Sequence, residues 1–142
     1  MRQRIIGQVD GFDLSTGLAQ IEVFTALEAI TEGDAVYVNS SGRIGRALAN
    51  ASSTMHAIGV AAEAIASLGA GRVVTHGPKR TDNYDASGRL GLFAWVSPTT
   101  AGGVTGVPPT SSGQIRQQVG VWRERRLLYV SLGGASQVGG SL

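Results

Sequence analysis

Apolar and polar residues along this chain are grouped in short runs broken by turn formers, with little helical spacing. The runs "AQIEVFTAL" (19–27), "DAVYVN" (34–39), "RVVTH" (72–76), "GLFAWVS" (91–97), "QIRQQVGVW" (114–122) and "RLLYVSL" (126–132) are rich in Val, Ile, Tyr, Phe and Trp. Such residues fit a pleated, half-buried surface, so each run predicts a strand. Between them lie the turn signatures "TEGD" (31–34), "NSSG" (39–42), "DASG" (85–88) and "TSSG" (110–113). One stretch is ambiguous. "MHAIGVAAEAIASLG" (55–69) sets Ile58, Ala62, Ile65 and Leu68 near helical spacing and ends at a glycine suited to a helix C-cap. Against a helix, Gly59 falls in its interior, and "GAGRVVTH" follows as a turn into a strand.

An internal repeat decides the matter. The first half reads "AVYVNSSGRIGRA", "AIGVA", "GRVVTHG"; the second reads "FAWVSPTTAGGVTGV", "QVGVW", "RLLYVSLGG". Each is an aromatic-bearing strand, a turn, a small-residue strand, a loop, a strand with a hydrophobe–Gly–Val centre and a closing strand. The match makes "AIGVAAEAI" mostly strand. On this alignment "SPTTAGGVTGVPP" (97–109) is a turn with a short strand at a sheet edge. Its glycines let another backbone approach closely, and Pro108 and Pro109 remove two ladder donors. A sister subunit or solvent is expected opposite it. The fold class is therefore all-β: a small β-barrel or sandwich built from two similar halves (34–77 and 91–134) within one domain (18–134). An N-terminal extended arm (1–17) precedes it, and a flexible tail (135–142) follows.

Composition narrows the classes of function. The 142 residues fit one domain; 21 glycines and only 15% charged residues predict many turns and a weakly charged surface. Without cysteine there is neither a disulfide framework nor a thiolate metal site. The start "MRQRIIGQVD" lacks the apolar core of a signal peptide, and no run has the length of a membrane span, so a soluble chain without membrane attachment is expected. The net charge is +2 and every basic residue but Lys79 is arginine. The tightest basic cluster, "WRERR" (122–126), is interrupted by Glu124 and reads as a hairpin turn, so direct nucleic-acid binding is not expected.

Candidate chemistry is sparse. His56 and His76 are the only histidines, and adding Asp82 or Glu63 matches no metal-ligand spacing. There is no G-x-S-x-G, and "GAGRVV" (69–74) lacks the lysine of a phosphate loop and leads into a strand. Asp82 and Asp85 in "TDNYDASG" are the only carboxylate pair considered for glycoside hydrolysis, and turn chemistry explains them equally. The expectation is no enzyme, no cofactor and no metal.

What remains is binding. Arg2, Arg4, Ile5, Ile6 and Phe12 mix charge and apolar bulk ahead of the repeat, as in an arm that lies on another subunit; a strand of the chain's own barrel is the alternative. Trp95, Val104, Val107 and Trp122 are candidates for a subunit interface, with Trp122 balanced between interface and core, while Phe93 and Tyr129 are expected in the core. Arg43, Arg46, Arg123, Arg125 and Arg126 are candidates for pairing with carboxylates of a partner surface.

Two stretches carry a resemblance. "EAITEGDAVYVNSSGRIGRA…AIGVAAEAI…GAGRVVTHG" resembles the small β domains of tailed-phage virion proteins, especially capsid decoration (cement) proteins. "LFAWVSPTTAGGVTGVPPTSSGQIRQQVGVW…RRLLYVSLGG" is similar to a segment of phage head-fibre, tail-fibre and decoration proteins. Together they span residues 26–134. The resemblance implies a structural virion protein, commonly a homotrimer, assembled in the host cytoplasm. It would sit on the outer capsid surface, bind the major capsid protein and stabilise the shell by bridging capsid subunits. The arm residues above would then contact the capsid. The alternative it leaves open is a fibre or spike module that recognises a host-surface glycan, with "TDNYDASG" as the candidate groove. The absence of a long repetitive shaft or separate head favours decoration.

Overall fold

In the computed structural model, residues 19–139 are described. Ten strands form one curled antiparallel sheet. They are β1 (Gln20–Thr25), β2 (Ala35–Val38), β3 (Ile44–Arg46), β4 (Ala57–Ala61), β5 (Ala70–Arg80), β6 (Phe93–Val96), β7 (Val104–Thr105), β8 (Ile115–Glu124), β9 (Leu127–Val130) and β10 (Ala135–Gln137). The ambiguous stretch is a strand where it begins, since β4 covers "AIGVA".

The order β3-β2-β4-β5 continues as β9-β8-β6-β7, so the second half repeats the first in reverse about the β5–β9 pair. The likeness extends to single residues. Gly59 pairs with Val36 in the first half and Gly120 with Ala94 in the second, and the register shifts at the next residue in each case. A side chain on Gly59 would overlap the Val74 carbonyl, and one on Gly120 the Tyr129 carbonyl. The hydrophobe–Gly–Val repeat therefore records two places where a neighbouring backbone leaves no room for a Cβ.

Two buried clusters lie on opposite faces of the sheet. The larger is shared by both halves and includes Val60, Val74, Ala94, Val119, Trp122 and Leu128. The smaller, with Val36, Ile44, Ala61 and Val73, lies on the other face of the first half and is capped by Ala26, Ile30 and Ile65. Hydrogen bonds between the ends close the curl: the Ala35 N–H donates to the Gly102 carbonyl and the Gly102 N–H to the Ala47 carbonyl, both at 2.8 Å. The Ala49 N–H likewise donates to the Ser97 carbonyl at 2.9 Å. Buried Gln117 ties β8 to β4, accepting from the Ala57 N–H at 2.8 Å and donating to its carbonyl at 3.0 Å.

Two expectations are corrected here. "SPTTAGGVTGVPP" receives a close approach, but from the chain's own first half: the Ala35 N–H donates to the Gly102 carbonyl, and a Cβ on Gly102, at φ +77°, would collide with the Asp34 side chain. Residues 135–137 of the expected tail form β10, paired with β8. The expected arm, 1–17, lies outside the described residues.

Turn chemistry fixes the loops. Asn39 accepts through Oδ1 from the backbone of Ser41 and Arg43, with Gly42 at φ +82° completing the turn. Tyr84, in the loop after β5, is fully enclosed and donates its hydroxyl to the Gly33 carbonyl at 2.8 Å. Replacing Tyr84 with phenylalanine leaves that buried acceptor unpaired and should cost about 1–2 kcal/mol, measured by denaturant unfolding; an unchanged midpoint would show that the bond contributes nothing net.

Candidate functional site

Two features beyond the core have the geometry of contact surfaces. The first is the outer face of the second half. Pairing aligns Phe93, Val121, Tyr129 and Pro78 across β6, β8, β9 and β5. Phe93 is 50% exposed and stands edge-on to Trp95 at 6.1 Å between ring centroids. His76 stands edge-on to Tyr129 at 5.6 Å, and the Arg123 guanidinium lies 4.3 Å above the Tyr129 ring. The same face of the first half is covered by Ala26, Ile30 and Ile65. In the second half, the segment before β6 leaves Leu90 and Leu92 exposed. Continuous with this region is β1, which pairs only with β5 among the described residues and exposes Val23 to 66%.

The second feature is a cleft whose smaller part lies between the halves and whose larger part is lined by the second half and the loop before it. Two hollows of about 170 and 410 Å³ share Asp85, Gly103, Val104 and Trp122 in their walls. The smaller is acidic, with Glu32, Asp34 and Asp85; the larger is polar and mixed, with Arg89, Thr99 and Thr100. Burial pushes the Asp34 carboxyl up from its ordinary range, against the pull of the Thr31 N–H and the Arg46 charge. Burial, reinforced by the charges of Asp34 and Glu32, pushes the Tyr84 phenol well above its ordinary value. Asp85 behaves oppositely: hydrogen bonds from the Ser87 hydroxyl and backbone, then the nearby Arg125, hold its carboxyl down at about 2.

The residues singled out from sequence are dispersed. Trp122 is 3% exposed, edge-on to Tyr84 at 5.2 Å in the core, which removes it from a subunit interface. Val104 packs inward against the same core, and Val107 is exposed in the loop beyond. Only Trp95 of the four lies on the outer face of the second half. Phe93, expected in the core, is on that face too, and Tyr129 is half-buried there. Arg2, Arg4, Ile5, Ile6 and Phe12 lie outside the described residues.

Four of the five candidate arginines are engaged within the chain, Arg123 over the Tyr129 ring and three beside carboxylates. Arg46 pairs with Glu28 at 3.1 Å and Arg125 with Asp85 at 3.2 Å, while Arg126 sits 3.9 Å from Asp82 and donates to the Asp82 and Tyr84 carbonyls. Asp82 and Asp85 are thus each beside a different arginine. A carboxylate held at about 2 is a poor general acid, which needs a raised value. Among the described residues no three His, Cys, Asp or Glu side chains cluster as metal ligands, and no helix is long and apolar enough to cross a membrane.

Sequence reasoning named "TDNYDASG", with Tyr84, as a candidate groove but missed Asp34 as a wall of the cleft. No local signal marks Asp34: "TEGD" reads as a turn, and it meets the loop carrying Tyr84 only through the tertiary fold. No family model matches the chain, and neither curated proteins nor solved structures provide a match.

Proposed function

We propose that this chain is a structural protein of a tailed-phage virion, attached to the outside of the capsid and stabilising the shell by bridging capsid subunits. The observation that supports it best is the apolar face of the second half, which the described residues leave uncovered, together with the edge strand β1. A sheet face bearing Phe93, Trp95 and Tyr129, and an edge strand exposing Val23, are surfaces that favour association with another chain. The matching face of the first half is already filled by the chain's own residues.

In this reading sister subunits of a homotrimer meet at the outer face, with Trp95 among the contacts. The capsid is engaged by β1 and by Arg2, Arg4, Ile5, Ile6 and Phe12 ahead of it, through main-chain pairing and apolar anchors. The role is mechanical: many symmetric copies make individually weak contacts cumulatively strong.

The test is binding of purified protein, full length and lacking residues 1–17, to mature capsids stripped of it, with mass measured in solution. Saturable binding by a trimer is expected, lost with the arm. Phe93→Ser together with Trp95→Ser should convert the trimer to monomer. Folded full-length protein that stays monomeric and leaves capsids bare would overturn the proposal.

A further inference from the structure

The two halves differ in what covers their outer faces. In the first half the connection from Ala62 to Gly69, between β4 and β5, folds back and sets Ile65 over Gly71, and the chain ahead of β2 adds Ala26 and Ile30. In the second half the corresponding connection, between β8 and β9, is only Arg125 and Arg126, too short to fold back. The chain ahead of β6 is held beside β8 and its turn: the Gly91 N–H donates to the Trp122 carbonyl and the Ala86 N–H to the Arg125 carbonyl, both at 2.8 Å. Pro78, Tyr129 and Val121, aligned across β5, β9 and β8, are therefore left without a cover among the described residues.

The chain that leads into β1 starts beside them. Gln20 pairs with His76, and the His76 ring stands edge-on to Tyr129 at 5.6 Å, so that chain enters at the border of the uncovered face. Ala19 packs against the larger cluster, on the inner side of the sheet. Alternation along an extended chain puts Leu14, Thr16 and Leu18 on the side opposite Ala19, toward the outer face. Residues 13–18 extended reach about 20 Å, whereas crossing from β5 to β8 takes about 10 Å. Charge fits as well: Arg123, over the Tyr129 ring, makes no ion pair among the described residues, and Asp13 supplies a carboxylate. A segment tethered at the border also has an effective concentration of about a millimolar or more, which one from another molecule must match. We infer that residues 13–18 lie on their own chain's outer face, over Pro78, Tyr129 and Val121, with Leu14 and Leu18 against the sheet and Asp13 beside the Arg123 guanidinium. This goes beyond capsid attachment and does not rest on it. It divides the face: the chain's own segment takes the β5–β9 side, Phe93 and Trp95 on β6 remain for a sister subunit, and residues 1–12 remain for the capsid.

The chain has no cysteine, so a pair introduced into the full chain reports one contact. Leu14→Cys with Val121→Cys is oxidised at low protein concentration and compared with Leu14→Cys with Ser136→Cys, whose second position is exposed on β10. The first pair is expected to close within single chains about tenfold faster, since a docked segment is concentrated at its own site. Equal rates would overturn the inference. So would a product that links two chains, which would place the segment on a sister subunit. A second measurement needs no cysteine: Leu14→Ser with Leu18→Ser should lower the denaturant midpoint of the full chain, while Ile5→Ser with Ile6→Ser leaves it in place. Unchanged midpoints in both would also count against docking. Capsid binding and mass in solution are read separately, so either conclusion can fail without the other.

Discussion

Gly120→Ala is expected to unfold the protein or to remove most of its stability, and Gly59→Ala to do the same. At each position a new methyl group would overlap a backbone carbonyl of the neighbouring strand, that of Tyr129 or of Val74. Backbone in the middle of a sheet cannot swing aside as a flexible side chain can. Relief requires separating β8 from β9, or β4 from β5, where both strands also carry buried residues such as Val60, Val74, Leu128 and Val130. Overpacking a core by a methyl group typically costs about 1–3 kcal/mol, and a clash with central-strand backbone belongs at or beyond the upper end. Gly134→Ala is the control: that glycine has open space around it and no positive φ, so its substitution should fall within about 0.5 kcal/mol of the parent. Denaturant unfolding of the three variants decides the point. If Gly120→Ala unfolded at the parent's midpoint, the close approach of β9 would be wrong.

A second large effect is expected at Lys79. It lies on β5 opposite Leu128, on the core-facing side of the sheet, and its side chain is 4% exposed. Its ammonium donates to Glu32 Oε2 at 2.6 Å and to the Ala62 carbonyl at 3.0 Å. Glu32→Ala leaves the ammonium enclosed with one neutral acceptor, and breaking a buried pair from one side typically costs about 3–5 kcal/mol. Lys79→Met removes the enclosed charge and keeps the packing; the Glu32 carboxylate it abandons is 39% exposed and can be hydrated. That change should cost about 1 kcal/mol or less, since apolar replacement of a buried ionic group is often neutral. The ordering is the prediction: Glu32→Ala below Lys79→Met in unfolding free energy, because only the first leaves the enclosed ammonium without its carboxylate. Equal losses would mean that water already reaches the Lys79 ammonium.

Much of the fold is legible in the run of residues because strand, turn and repeat are local or self-referring. "AVYV" and "FAWV" each begin a half, and "IGV" and "VGV" mark the same crowded position in both. Comparing the halves makes "AIGVAAEAI" (57–65) mostly strand where spacing alone leaves a helix open, and β4 covers its first five residues. The repeat does not tell which face of each strand is covered. In β8, Gly120 pairs with Ala94 while Gln118 pairs with Trp95, so one residue is extra. That bulge resets the alternation, placing Val119 and Trp122 in the same core where unbroken alternation would place them on opposite faces. The same bulge turns Trp122 inward, while on β6 ordinary alternation puts Ala94 and Val96 in the core and Phe93 outside.

By itself the sequence determined the all-β class, the turns, the two-half plan and the lack of cysteine, since each depends on residue type and spacing along the chain. Only the tertiary structure decided that Gly102 receives Asp34 from the same chain, that among the described residues the first half covers its outer face while the second does not, and that Trp122, Asp34 and Asp85 share a cleft. Those outcomes depend on bulges that change which way side chains face and on contacts between residues distant along the chain, and a one-dimensional pattern encodes neither.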